Sequence, residues 1–241
     1  MTDTSAGTTH RRTLRWQQAR VVSVRDETPT ARTLRLALPD PRPHLPGQHY
    51  VVRLTAPDGY TASRAYSVAS APDGTNEVEL TVERLPDGEV SEYLHDVAEP
   101  GDELEVRGPI GGGFFAWTGD TPALLVGGGS GVVPLMAMLR HARAIGRPDL
   151  VRLVVSARTG ADLYYADELA GPETTVVLTR ADLPGRPRGR LTADDLAPLV
   201  RADEVVFVCG SPAFCDGVTD LLAAVGVPVG AIRTERFGPS G

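Results

Sequence analysis

The run Ala123-Leu124-Leu125-Val126-Gly127-Gly128-Gly129-Ser130-Gly131-Val132-Val133-Pro134 divides the chain into two kinds of folding unit. Its first residues form a short apolar run of buried-strand type, and its last three open a helix. The glycines between them let backbone approach a ligand closely, and the first helical amides offer unpaired donors with a favourable dipole. Three glycines in a row exceed what a plain strand-to-helix turn needs, so a phosphate or pyrophosphate suits the loop. A serine nucleophile does not: Val132 stands where G-x-S-x-G requires its last glycine, and the histidine after Ser130 is His141, within the following helix.

Downstream the chain alternates strand and helix. Apolar runs at 123–129, 152–157, 174–179, 204–210 and 231–237 read as five strands, with helices expected at 132–146, 162–170, 192–200 and 211–226. The pattern predicts a doubly wound α/β unit around a parallel five-stranded sheet, with its ligand at the carboxyl ends of the strands. The loop departs from G-x-G-x-x-G, and the second strand ends Ser156-Ala157-Arg158 without an acid to hold a ribose diol. An arginine there suits a 2′-phosphate.

Upstream the rhythm is different. Short alternating segments at 20–24, 33–38, 49–54, 64–70, 77–85 and 102–108 are broken by Pro, Gly and Asp turns, with one helical segment at 91–97. Closely spaced strands with one short helix predict a six-stranded antiparallel β-barrel. The expected organisation is therefore a flexible N-terminus at 1–13, a barrel at 14–117 and the α/β domain at 118–241.

Composition narrows the chemistry. A formal net charge of -7 over 241 residues argues against a general nucleic-acid binder, which needs a basic face. All 24 basic residues are arginine, which excludes mechanisms that need a lysine. Two cysteines, Cys209 and Cys215, are too few for a disulfide framework or for a four-thiolate iron–sulfur cluster, and they point to a reducing, cytoplasmic setting. No run approaches the length of a membrane span, and the polar first residues carry no signal-peptide core. His44, His49 and His95 show no metal spacing, and no metal is expected.

Six segments in order, RAYSVAS (64–70), DGEVSEYL (87–94), GPIGGGFF (108–115), GGGSGVVP (127–134), VCGSP (208–212) and TERF (234–237), resemble the ferredoxin–NADP reductase superfamily. The similarity covers nearly all of the chain after its first dozen residues. It implies a flavin-binding barrel followed by a pyridine-nucleotide domain, with FAD as the flavin, FMN as the alternative, and NADPH or NADH as substrate. By this resemblance Arg64 would hold the flavin pyrophosphate, Tyr66 would lie against the ring and Ser67 would approach N5. Ala65, Val82, Arg84, Gly88, Val90 and Ser91 would be further flavin contacts, with Ser91 capping the short helix, and Phe237 would cover the open face. Strand periodicity places Arg64 and Tyr66 on one face and Ser67 on the other.

On the nucleotide side the resemblance implies Gly128, Gly129, Ser130, Gly131, Cys209, Gly210 and Ser211 as NAD(P) contacts. Arg158, Arg180 and Arg190 would receive the 2′-phosphate, favouring NADPH over NADH. Ser67, Cys209 and Glu235 would align the nicotinamide with the flavin. Phe114 falls one residue later than the family pattern places it, and four residues, Gly238 to Gly241, follow Phe237. The implied enzyme is a monomeric flavin-dependent oxidoreductase serving a separate acceptor such as a ferredoxin, an oxygenase component or a cytochrome P450 system. A flavin or ferric-chelate reductase without a protein acceptor, and a nucleotide-binding sensor without turnover, are the alternatives.

Overall fold

The computed structural model describes residues 14–238; the N-terminal segment 1–13, expected to be flexible, lies outside the described residues. The first unit is an antiparallel sheet of β1 (Gln17–Thr28), β2 (Ala31–Ala37), β3 (His49–Thr55), β4 (Thr61–Ser67), β5 (Glu77–Glu83) and β6 (Glu103–Ile110). Their spatial order is β4-β3-β6-β1-β2-β5. Alternation explains the sheet: Leu34 and Leu36 of β2, Val78, Leu80 and Val82 of β5, and Leu104 and Val106 of β6 turn inward and are at most 4 % exposed. Two register shifts in β1, between Val21 and Ser23 and between Asp26 and Thr28, bend that long strand so that it pairs with both β2 and β6.

The edges β4 and β5 then meet. Just beyond β4, Val68 bridges Leu80, and the Ala69 N–H donates to the Glu79 carbonyl at 2.8 Å, drawing the sheet into the expected barrel. Helix α1 (Glu89–Asp96) crosses these edge strands and seats Val90 and Leu94 in the barrel core.

The connecting segment 111–122 leads to a parallel sheet of β7 (Ala123–Gly128), β8 (Val151–Ala157), β9 (Thr174–Leu178), β10 (Val205–Gly210) and β11 (Ile232–Arg236), ordered β11-β10-β7-β8-β9. Every residue of β8 is buried, as a strand covered on both faces requires. Helix α2 (Val132–Ala144) packs one face through Val133, Met136 and Leu139, while α3 (Ala193–Leu196) and α4 (Pro212–Ala224) cover the other with Leu196, Val218 and Leu222.

Two expected helices differ. In place of a helix at 162–170 stand two short 3₁₀ turns, Gly160–Asp162 and Ala166–Glu168, because Tyr165 adopts a left-handed backbone (φ 55°) and turns its ring into the interior, 3 % exposed. The segment expected as a helix at 192–200 is helical only over Ala193–Leu196 before Pro198 tightens the next turn.

Candidate active site

β7 lies between β8 and β10, so the chain runs outward in opposite directions from it. In an open α/β sheet the crevice at such a switch point is the ligand site. The glycine loop leaves β7 there and Cys209-Gly210-Ser211 leaves β10 there. A Cβ on Gly131 would lie 2.2 Å from the Cys209 carbonyl oxygen, and Cβ atoms on Gly128 and Gly210 would each meet the Phe214 ring, at 2.8 and 2.7 Å. These glycines therefore let two strand ends and one aromatic ring close together. Gly129 (φ 56°) has open space where a Cβ would stand, so its backbone is the exposed part of the loop. Ser130 is half-buried beside it, and the Ser211 hydroxyl accepts the Phe214 N–H at 3.3 Å, capping α4.

Cys209 and Glu235 pair in register across β10 and β11, on the side of the sheet that carries Phe207. Cys209 is fully buried, and burial pushes its thiol well above the ordinary range, with Glu235 adding to the effect. Burial also raises the Glu235 carboxyl to about 7. Its Oε2 is buried with no hydrogen-bond partner. Phe237 donates its backbone N–H to the Gly210 carbonyl at 2.8 Å and packs its half-buried ring on the cluster containing Cys209 and Phe207.

On the barrel, Arg64 and Tyr66 lie opposite Val52 and Tyr50, while Ser67 lies opposite His49. Arg64 and Tyr66 therefore share one face and Ser67 the other. Arg64 is exposed, its guanidinium donating to the neighbouring Ser63 carbonyl at 2.8 Å; Ala65 is exposed and Ser67 buried. The Tyr66 hydroxyl is buried without a partner, and burial raises its pKa. Val82 is wholly inside the barrel core, and the exposed Arg84 pairs with Asp96 at 2.8 Å and Glu92 at 3.4 Å. α1 begins two residues earlier than expected, with Gly88 as its N-cap. Ser91 is consequently not the cap. One turn in, its hydroxyl donates to the Gly88 carbonyl at 3.0 Å and accepts the Leu85 N–H at 3.2 Å.

Arg158 and Arg180 lie side by side just beyond the ends of β8 and β9, joined by the Arg180 N–H to Arg158 carbonyl bond at 2.8 Å. Together with Arg190 they are exposed, and among the described residues none of the three guanidinia has an ion pair. Asp162, their acidic neighbour in sequence, commits its carboxylate to the N–H and hydroxyl of Thr159 at 2.9 and 2.6 Å. Among the described residues there is no cluster of metal-ligating side chains, and no helix is long and apolar enough to cross a membrane.

Residues 18–115 match the model of the oxidoreductase FAD-binding domain, and residues 125–220 that of the oxidoreductase NAD-binding domain. The reductase component, a ferredoxin–NAD(P)(+) reductase, of the naphthalene 1,2-dioxygenase/salicylate 5-hydroxylase systems of Ralstonia sp. is 31% identical over 232 residues, covering 92% of this chain and 69% of its own. The chain belongs to the ferredoxin–NADP reductase superfamily. As a member it is a flavoprotein oxidoreductase that binds FAD and uses NAD(P)H. The ferredoxin reductase component of a Mycobacterium tuberculosis 3-ketosteroid-9-alpha-monooxygenase is 33% identical over 236 residues, 91% of this chain and 65% of that protein. A cytochrome P450 reductase from Amycolatopsis superimposes with a TM-score of 0.77 at 29% identity, covering 94% of this chain and 71% of the other. The chain spans about two thirds of the length of these relatives.

This reductase has residues that suit both groups. Among the described residues the exposed Arg64 guanidinium on β4 has no acidic partner, and α1 starts nearby, its Glu89 accepting the hydroxyl of Tyr60 just before β4 at 3.0 Å. FAD supplies the step between two-electron donors and one-electron acceptors. Phe214, for which no role is expected from the sequence, fills the space between Gly128 and Gly210 at the mouth of the crevice. A clue was present: both glycines lie at strand ends, where their missing side chains must make room for something.

Proposed function

We propose that this chain draws hydride from NADPH or NADH and passes single electrons to a separate protein acceptor, a ferredoxin or an oxygenase component. One observation carries the reading: the switch-point crevice and the flavin strand converge on a single apolar cluster, which contains Cys209 and Phe207 from the sheet and Ala69 from the end of the RAYSVAS strand. In this reading Gly129 and its neighbours receive the nucleotide pyrophosphate on backbone amides. Arg158, Arg180 and Arg190 bind the 2′-phosphate and give NADPH the advantage. Arg64 binds the flavin phosphates, Tyr66 lies against the ring, and Ser67 approaches its reactive edge.

Cys209 and Glu235 hold the nicotinamide from the β10–β11 side. A carboxyl titrating near 7 keeps a proton to donate at neutral pH. Phe237 covers the same space until the nicotinamide enters. Such positioning supplies large rate factors with no covalent step. The two cysteines, both free and buried, fit a reducing cytoplasmic setting.

The decisive experiment mixes the purified yellow protein anaerobically with NADPH and NADH, then offers the reduced protein ferredoxins of plant and bacterial types. Rapid bleaching followed by reoxidation on ferredoxin is expected. Reoxidation by free flavin or oxygen alone would overturn the acceptor assignment, and a flavin that never bleaches would overturn the reductase.

A further inference from the structure

Arg140 lies on the barrel-facing side of α2, nine residues after Gly131 and so about 13 Å along the helix from the glycine loop. Its side chain is 15% exposed and all three guanidinium nitrogens donate hydrogen bonds. Nε and Nη2 form a two-toothed bond to Glu168 at 2.9 and 2.5 Å within the α/β domain. Nη1 crosses to the barrel, donating to the Glu79 carboxylate and to the Ala69 carbonyl, both at 2.9 Å. The guanidinium also lies 4.8 Å over the Tyr165 ring. That ring continues the crossing: its hydroxyl bonds Thr81 at 2.5 Å, Thr81 bonds Thr33 at 2.7 Å, and the Tyr165 N–H reaches Glu27 at 3.2 Å.

The placement of the crossing matters. Ala69 and Glu79, with Val68 and Leu80, close the barrel just beyond β4, and Ala69 follows Ser67 by two positions. One guanidinium thus ties the strand expected to meet the flavin to the helix that carries the nucleotide loop. We infer that Arg140 is a positioning residue, fixing the nucleotide domain against the barrel so that Cys209 and Glu235 address the end of β4. The inference rests on the reductase reading above. Displacements of about 1 Å at a reacting centre cost on the order of a hundredfold in rate, which makes a charged crossing so close to β4 consequential even beside the Tyr165 contacts. The planar fork is what a lysine lacks: it serves Glu168 along one edge and the barrel along another.

The test uses the FAD-loaded chain with Glu79→Gln, Arg140→Leu and Arg140→Lys. Glu79→Gln weakens only the barrel side and leaves the Arg140–Glu168 pair intact, so it keeps the question answerable if Arg140→Leu folds poorly. Anaerobic stopped-flow reduction by NADPH is expected to slow about threefold in Glu79→Gln and about tenfold or more in Arg140→Leu, with partial recovery in Arg140→Lys and an unchanged NADP⁺ dissociation constant. A second readout does not depend on turnover. Spin labels at Glu99→Cys and Asp220→Cys, both exposed and one on each domain, should give a broader distance distribution in Glu79→Gln and Arg140→Leu than in the otherwise native chain. Native rates with a native distance distribution in both variants would overturn the role of Arg140. Wild-type flavin left oxidised by both nucleotides would instead sink the reductase reading, and the label distances would still decide whether Arg140 fixes the domains.

Discussion

Cys209 and Glu235 face one another on neighbouring parallel strands, a thiol and a carboxyl in register and both raised in pKa by burial. The carboxyl, ordinarily near 4.5, titrates at about 7 in the folded chain. The folded chain therefore holds this proton more tightly than the unfolded chain does. Its stabilising contribution is complete below about 4.5 and is lost as pH rises through about 7. Glu235→Gln should flatten the dependence of unfolding free energy on pH in that window by up to about 3 kcal/mol. Urea melts of both proteins across the window check it, and parallel curves would refute it.

The exposed Arg158 guanidinium has no acidic partner among the described residues. Arg158→Ala should raise KM for NADPH about tenfold, the scale of one charge-assisted hydrogen bond, while NADH changes less than twofold. Steady-state reduction of an artificial acceptor with each nucleotide measures this. Equal losses for both nucleotides would remove the 2′-phosphate from the explanation.

A methyl group at Gly131 would lie 2.2 Å from the Cys209 carbonyl oxygen, against backbone that cannot swing aside. Gly131→Ala should destabilise the chain by about 1–3 kcal/mol through overpacking. Gly160→Ala is the control, because nothing lies within 4 Å of that position and its φ is not positive. There the substitution should be neutral or stabilising by about 0.5 kcal/mol. Guanidinium titrations of the two variants should move in opposite directions or differ by at least the lower bound.

The Arg152–Glu204 ion pair is nearly excluded from solvent, with side chains 10% and 3% exposed. Desolvation, with Arg201 nearby, lowers the Arg152 pKa to about 10. Removing one partner strands the other, so Glu204→Gln should cost about 3–5 kcal/mol. Arg152→Met combined with Glu204→Leu should recover most of that loss. Thermal unfolding of the single and double variants decides it.

The strands and their order of appearance were legible because β1 to β6 alternate and β7 to β11 are short apolar runs. What sequence periodicity could not show depended on distant partners. The tyrosines at 164 and 165 have helical neighbours, yet Tyr165 leaves the helical backbone to reach Thr81, eighty-four residues away. Ser91 looked like a cap because serine favours that role, but Gly88 starts the helix and leaves the hydroxyl to brace the turn before it. The three consecutive glycines were read as a ligand cradle. Of the three, Gly127 and Gly128 also make room for Val132, Leu135 and the Phe214 ring, while Gly129 faces open space. Arg140 resembled any polar residue on a helix face, since its partners come from two different domains.

Val68 and Ala69, which close the barrel against Leu80 and Glu79, continue directly from Arg64 and Tyr66. If the flavin lies along that strand, as proposed, its binding would splint the seam, and binding and closure would favour each other by mass action. The yellow colour then serves as a gauge of the first stage of unfolding. On warming, absorbance should fade as the seam parts, before the parallel sheet loses its circular dichroism, and added FAD should delay the fading.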